Sequence, residues 1–233
     1  MDRKFLKIKN IPAILWGEKS DKLIIAIHGN MSNKEDVPIK ILAKISMKKG
    51  YQVLSFDLTG HGERKDEGEF SKVQDYIREL SEIIDFAKEN WKNINLFGNS
   101  IGAYFGLLAY KDEKLSKAWF LSPVTDMKRI IENMMKWCNI TEERLKEEKT
   151  ISTQIGQNLY WNYWEYVKEN PIEKWEVPTY ILYGEKDSLC EKDFVIKFAE
   201  KFHSDLKISE ESEHWFHTEK DLEELKKWLC ETI

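Results

Sequence analysis

Cysteine is scarce in this chain. The three present, Cys138, Cys190 and Cys230, are an odd number without short spacing, which argues against a disulfide framework. They read as small buried apolar side chains. There is no H-E-x-x-H and no cluster of Cys and His, so no metal site is implied. No G-x-G-x-x-G opens a helix, and Gly60-His61-Gly62 is not a phosphate loop, so no cofactor is expected. No stretch approaches the ~18 apolar residues of a membrane-spanning helix. The start, Met1-Asp2-Arg3-Lys4-Phe5-Leu6-Lys7, is charged and lacks the apolar core of a secretory signal. The expectation is a cytoplasmic protein with no membrane span. Net charge is -5 and there is no basic stripe, which excludes nucleic acid as an expected partner. Internal repeats and low-complexity linkers are absent too, and nothing in the pattern specifies an oligomeric state.

What is present is a globular composition, 42% apolar and 33% charged over 233 residues. That length suits one large α/β domain, 1–233, with a buried core. Short apolar runs alternate with helical patterns. Phe5 to Ile8 and Ala13 to Trp16 read as an N-terminal hairpin or edge strands. Leu23 to Ile27 is apolar without alternation, the mark of a strand buried on both faces. Val37 to Met47 has helical spacing, and Tyr51 to Phe56 is the next strand. Val73 to Trp91 is a long amphipathic helix with Ser71 as its expected N-cap. Further strands are expected at Ile94 to Phe97, Ala118 to Leu121, Pro178 to Tyr183 and Leu206 to Ile208. Helices are expected over Asp193 to Phe202 and Thr218 to Trp228. This rhythm predicts a doubly wound, mostly parallel sheet flanked by helices.

Residues 124–175 break the rhythm. No strand is expected there for about fifty residues, too long for a plain loop. Met127, Ile130, Ile131, Met134, Met135 and Cys138 recur at three- and four-residue steps, and Thr141 before Glu142 and Glu143 looks like a capped helix start. Tyr160-Trp161-Asn162-Tyr163-Trp164 is dense in aromatics. The expectation is an inserted helical cap over the strand ends. Met127, Met134, Met135, Trp161 and Trp164 are the candidate lining of an apolar substrate pocket, and packing between cap and body is the competing role for each.

Gly98-Asn99-Ser100-Ile101-Gly102 fits G-x-S-x-G, preceded by a strand and followed by a helical run to Tyr110. Strand, sharp turn and helix form the setting in which this motif exposes a nucleophilic hydroxyl. Ser100 is the candidate nucleophile. The Ile101 N–H, at the helix start, is placed to meet an oxyanion.

Five pieces occur in order: His28-Gly29, Asp57-Leu58-Thr59-Gly60-His61-Gly62, Gly98 to Gly102, Tyr183-Gly184-Glu185-Lys186-Asp187, and His214-Trp215-Phe216-His217. On these the chain resembles the alpha/beta-hydrolase superfamily. It is most similar to small esterases and acyl hydrolases of the serine aminopeptidase and monoglyceride-lipase group. The resemblance covers nearly everything outside 124–175. It implies the alpha/beta-hydrolase fold with an inserted cap, and a second oxyanion donor in the N–H of Asn30, after the His-Gly pair. In this fold the triad runs Ser, acid, His. Of five histidines, His203, His214 and His217 follow a candidate acid. His203 ends a helix and suits a capping role. His214 is the favoured base and His217 its rival. Asp187, after an apolar strand, is the favoured acid, with Asp126 as the rival from the strand before. His28, Asp57 and His61 read as loop-fixing residues.

Two functions follow as expectations. One is a serine hydrolase, carboxylesterase-like, acting on a small-molecule ester or related acyl substrate, with a small aminopeptidase or amidase as its variant. The other is a ligand-binding or sensor protein on the same fold.

Overall fold

A computed structural model describes residues 2–233. Eight strands form one sheet in the order β1-β2-β4-β3-β5-β6-β9-β10. β1 (Arg3–Ile8) and β2 (Ile11–Trp16) make an antiparallel hairpin at one edge, and β2 pairs antiparallel with β4 (Gln52–Phe56). From β4 onward every pairing is parallel, through β3 (Lys22–Ile27), β5 (Asn93–Asn99), β6 (Ala118–Leu121), β9 (Thr179–Gly184) and β10 (Asp205–Ser209). The C-terminal ends of the parallel strands therefore lie on one edge, where open α/β sheets carry their sites.

The unbroken apolar run of β3 has a direct explanation. Leu23, Ile25 and Ile27 belong to the core on one face, while Ile24 and Ala26 belong to the core on the other. α1 (Val37–Lys48) and α8 (Glu219–Thr232) cover the second face through Ile39, Leu42, Leu225 and Trp228. α2 (Val73–Asn90), α3 (Ile101–Ala109) and α7 (Lys192–Lys201) cover the first. β10 is half-exposed along its length, which accounts for its weak sequence signal.

Local rules set several helix ends. The Thr218 hydroxyl accepts from the Asp221 N–H while the Asp221 carboxylate accepts from the Thr218 N–H, a capping box that fixes where α8 begins. Ser71 is not the cap of α2. The helix starts at Val73, as expected, and Lys72 stands at the cap without a side-chain bond.

Between β6 and β9 lies the cap: α4 (Met127–Trp137), α5 (Glu142–Glu148), β7 (Thr150–Ser152), β8 (Asn158–Tyr160) and α6 (Trp161–Glu169). The Thr141 side chain caps α5 as expected, accepting from the Arg144 N–H. The expectation of no strand fails here. β7 and β8 pair as a three-residue antiparallel ladder, closed by Gly156 at φ 80° and by Thr153 N–H donating to the Gln157 carbonyl. Strands this short leave too little alternation to read. The apolar side of the cap is continuous with the core under α2 and α3.

Candidate active site

Ser100 occupies the turn between β5 and α3 at φ 53°, ψ −116°. A non-glycine residue held there stores strain that the surroundings must over-determine, and they do. The Ser100 N–H donates to the Leu121 carbonyl at 2.9 Å, and the Ser100 carbonyl accepts from Ala103 and Val124. The two flanking glycines are required by contact. A Cβ on Gly98 would lie 2.6 Å from Ala103 Cα, and one on Gly102 would lie 2.4 Å from the Ile27 carbonyl oxygen. The sharp turn exists because β5, β3 and α3 approach at backbone distance.

His214 Nε2 lies 2.8 Å from Ser100 Oγ. On the far side of the ring, His214 Nδ1 donates to Asp187 Oδ2 at 2.7 Å. The His214 and Asp187 side chains are almost completely buried. Asp187 Oδ1 accepts from the Leu189 and Cys190 N–H groups, so the carboxylate is held at both oxygens. With Nδ1 carrying its proton toward Asp187, Nε2 presents a lone pair to the serine hydroxyl. Gly184 makes room for this arrangement, since a Cβ there would come within 2.4 Å of the Ser212 carbonyl at the base of the histidine loop.

The rivals lie elsewhere. Asp126 caps α4, accepting from the Arg129 N–H. His217 is exposed, one residue ahead of the α8 cap. His203 is exposed and lies just past the end of α7, at φ 52°. Asp187, Cys190 and His214 also offer ligand atoms within 4.8 Å of one another. Burial pushes the Cys190 thiol up and keeps it protonated, and the carboxylate is already engaged, so the trio is poorly suited to a cation.

The N–H groups of Ile101 and Asn30 donate to no acceptor among the described residues. Asn30 sits in a loop built by buried polar groups. His28 Nδ1 donates to the Gly29 carbonyl at 2.7 Å and His28 Nε2 accepts from the Leu58 N–H at 3.0 Å. Burial lowers its pKa to about 4, which matches the single proton this geometry requires. Asp57 accepts from the Lys34 N–H, the Lys34 ammonium and the Glu63 N–H. His61 does more than fix its own turn. Its Nδ1 lies 3.0 Å from the Thr59 carbonyl oxygen, and its Nε2 lies 2.9 Å from Asn30 Oδ1. A side chain 31 positions away thus contacts Asn30. No sequence spacing signals that link, although the glycines on both sides of His61 mark a tight turn.

A cavity of about 700 Å³, counted to its open mouth, extends from Asn30 and Ile101 beneath the cap. Met127, Ile131 and Met134 line it from α4, at i, i+4 and i+7 of one stripe. Phe70, Tyr76, Phe105 and Tyr163 add aromatic walls. Met135, Trp161 and Trp164 do not line it, which corrects the expected pocket. Met135 lies off the stripe, packed in the core. Trp161, Trp164 and Val167 are the buried residues of α6, and Tyr163 packs against the same core while lining the cavity. Three ammonium groups, from Lys146, Lys149 and Lys168, cover the Trp161 ring at 5.5–5.7 Å.

The sequence profile of the family described as serine aminopeptidase, S33, matches residues 18–169. The chain belongs to this family. The match spans Asn30 and Ser100 and stops before Asp187 and His214, which enter through the structure. A search of curated proteins returns no match. Solved structures share the alpha/beta-hydrolase fold of this family member. Est1E from Butyrivibrio proteoclasticus with ferulic acid bound is 20% identical at a TM-score of 0.82, covering 98% of this chain and 96% of that one. Mouse alpha/beta hydrolase domain-containing protein 10 is 16% identical at 0.75, covering 99% and 98%. The Pyrococcus furiosus esterase Pf2001 is 20% identical at 0.72, covering 99% and 90%. No helix is long and apolar enough to cross a membrane among the described residues.

Proposed function

We propose that this hydrolase-family chain cleaves carboxylic esters, or related acyl bonds, of small substrates through an acyl-enzyme on Ser100. The observation that carries the reading is the hydrogen-bonded line from Ser100 through His214 to buried Asp187, with the serine on a strained elbow. Ser100 Oγ attacks the acyl carbon as its proton passes to His214 Nε2. Asp187 holds the ring in the right tautomer and stabilises the imidazolium. The N–H groups of Ile101 and Asn30 receive the oxyanion. His214 then returns its proton to the leaving oxygen, and water repeats the sequence to free the acid. The cap-side cavity is the acyl pocket, with Met127 and Met134 among its walls. Ferulic acid, the ligand of Est1E, makes aromatic acyl groups a natural choice for a cavity walled by Phe70, Tyr76 and Phe105.

A p-nitrophenyl ester series tests this directly. Wild type turns the series over with an acyl-length preference, and Ser100→Ala loses on the order of 10⁴–10⁶ in kcat while keeping its fold. Near-wild-type turnover in the variant removes Ser100 as the nucleophile.

A second reading, a small aminopeptidase, draws support from the family's description and from Glu69, the one acidic side chain on the cavity wall. Faster turnover of aminoacyl anilides than of matched esters, lost on Glu69→Gln, selects it.

A further inference from the structure

Resting on the reading of Ser100 as an acyl-transfer nucleophile, the leaving group has a place in the structure as well. Three directions around Ser100 are already assigned. The oxyanion goes to the Ile101 and Asn30 amides, the acyl chain goes under the cap, and the leaving oxygen must reach His214 Nε2 to be protonated. The space on the His214 side is a second cleft of about 1170 Å³, lined by Ser100, His214, Met31, Val37, Trp215 and neighbouring residues. It meets the cap-side cavity at Asn30, which lines both.

This cleft has an unusual rim. Six large hydrophobic side chains are exposed among the described residues, and three of them border this cleft: Met31 at 85%, Trp215 at 53% and Val37 at 48%. Single exposed hydrophobics need no explanation, but three gathered around one cleft mark a binding surface. The loop carrying Trp215 is constructed to present it. His214 and Phe216, on either side, are buried at 4% and 1% exposure, and Phe216 packs with Leu225 and Trp228 in the core against α8. Phe216 adopts φ 43°, a strained value for a bulky residue. That twist sends Phe216 inward while Trp215 stays outside, its ring edge-on to the His214 ring at 5.0 Å. Met31 is likewise at positive φ, 57°, next to Asn30. The one carboxylate on the cleft wall, Asp36, is engaged as the cap of α1, accepting from the Val37 N–H. Asn33, Asn99 and His217 add to the polar part of the wall.

We infer that the open cleft beside His214 is a leaving-group subsite for a large, uncharged, apolar alcohol, held by Trp215, Met31 and Val37. When the acyl carbon bonds to Ser100 Oγ, the carbon–oxygen bond to this alcohol breaks. The bonding pair leaves on its oxygen, and His214 Nε2 supplies the proton. The substrate is therefore an ester apolar on both sides of the scissile bond.

Ethyl, butyl and hexyl acetates, below the concentrations at which they aggregate, separate this idea from the ester reading itself. Acetate keeps the acyl side constant, and the alcohols differ little in leaving ability. In wild type kcat/KM rises by roughly tenfold or more from ethyl to hexyl, the scale of selectivity that apolar pockets deliver. Trp215→Ala and, independently, Val37→Ser at the start of α1 each reduce the hexyl-to-ethyl ratio about threefold or more. The acetate-to-hexanoate preference of ethyl esters stays at its wild-type ratio in both variants. A flat alcohol series in wild type, or a hexyl preference that survives both variants, overturns the subsite and leaves the esterase standing. A preference seen only once the ester aggregates also overturns it, in favour of a lipid-surface contact. Absence of turnover on every ester, with Ser100 unreactive, removes the esterase reading and the subsite together.

Discussion

The sheet edge and the cap face each other across Ser100, and they are built by different forces. At the sheet edge the groups around Ser100 are tied by hydrogen bonds and by close backbone contact. The Ser100 backbone, both Asp187 oxygens and both nitrogens of His28 are engaged, and Gly98, Gly102 and Gly184 stand where backbones nearly touch. The cap is held mainly by apolar contact, with Arg129 and Asn133 of α4 donating to Glu191 at its edge. The Tyr163 hydroxyl on the cavity wall and the neighbouring Tyr104 hydroxyl are buried with no hydrogen-bond partner among the described residues. Directional bonds fix atoms to a few tenths of an ångström, as chemistry requires. Dispersion and apolar burial fix volumes, and a methionine-lined volume adapts to what enters it. On the proposed reading, the sheet edge sets the reaction type and the cap selects the acyl part.

Substitutions can break that division, and the largest effects belong to the sheet edge. Asp187→Asn is expected to lower kcat by about 10⁴, because the amide supports the wrong imidazole tautomer. Asp126→Asn exchanges one good helix cap for another, so it costs little stability and leaves kcat near wild type. Steady-state kinetics on both variants decide between the two aspartates, and a reversed order moves the acid to the end of β6. Gly102→Ala comes next. Its methyl would sit 2.4 Å from a backbone carbonyl that cannot swing aside, so elbow and fold suffer together. A clear drop in melting temperature is expected, and a thermal scan matching wild type would show that the close packing of β3 and α3 has slack.

A third effect concerns pH. The His28 pKa is lowered to about 4, chiefly by burial. Below its ordinary value of 6.5 the unfolded chain takes up a proton that the folded chain refuses. His28 therefore contributes full stability above pH 6.5 and loses it progressively down to about pH 4, on the order of 3 kcal/mol in all. Urea midpoints measured across that window fall with pH in wild type. His28→Gln is less stable at neutral pH and shows a shallower fall, and an unchanged slope would locate the acid sensitivity elsewhere.

The smallest effects sharpen the comparison from the cap side. Met134→Ala widens the cavity and shifts acyl-length preference by about 1–3 kcal/mol. Trp164→Ala, from the buried side of α6, destabilises the chain by about 3–5 kcal/mol and leaves the preference profile alone. If Trp164→Ala shifts the profile and Met134→Ala does not, the cavity wall has been misplaced.

The same division explains what the sequence made legible. Strand ends followed by Gly-x-Ser-x-Gly, by Gly-Glu-Lys-Asp or by His-Trp-Phe-His carry short local patterns, so Ser100, Asp187 and His214 could be named before they were seen together. The mostly parallel character of the main sheet followed from runs such as Leu23 to Ile27, apolar on both faces, while its strand order did not. The cap resisted because α4 and α6 each bear apolar residues on more than one flank. Only tertiary packing decides that Met134 and Tyr163 face the cavity while Met135, Trp161 and Trp164 face the core. The His61–Asn30 contact joins two loops, and β7–β8 is too short for its alternation to register. The exposure of Trp215 left no mark in the sequence, because it follows from Phe216 taking the inward position.

The account rests on Ser100 being an activated nucleophile. The direct measurement is labelling with a fluorophosphonate followed by mass spectrometry of the modified peptide, on wild type and on His214→Gln. The account predicts one label per chain on Ser100 in wild type, and labelling slowed by at least about 10³ in the variant, because the base is gone. An unlabelled Ser100 in folded wild type, or labelling that proceeds equally fast without His214, would contradict it.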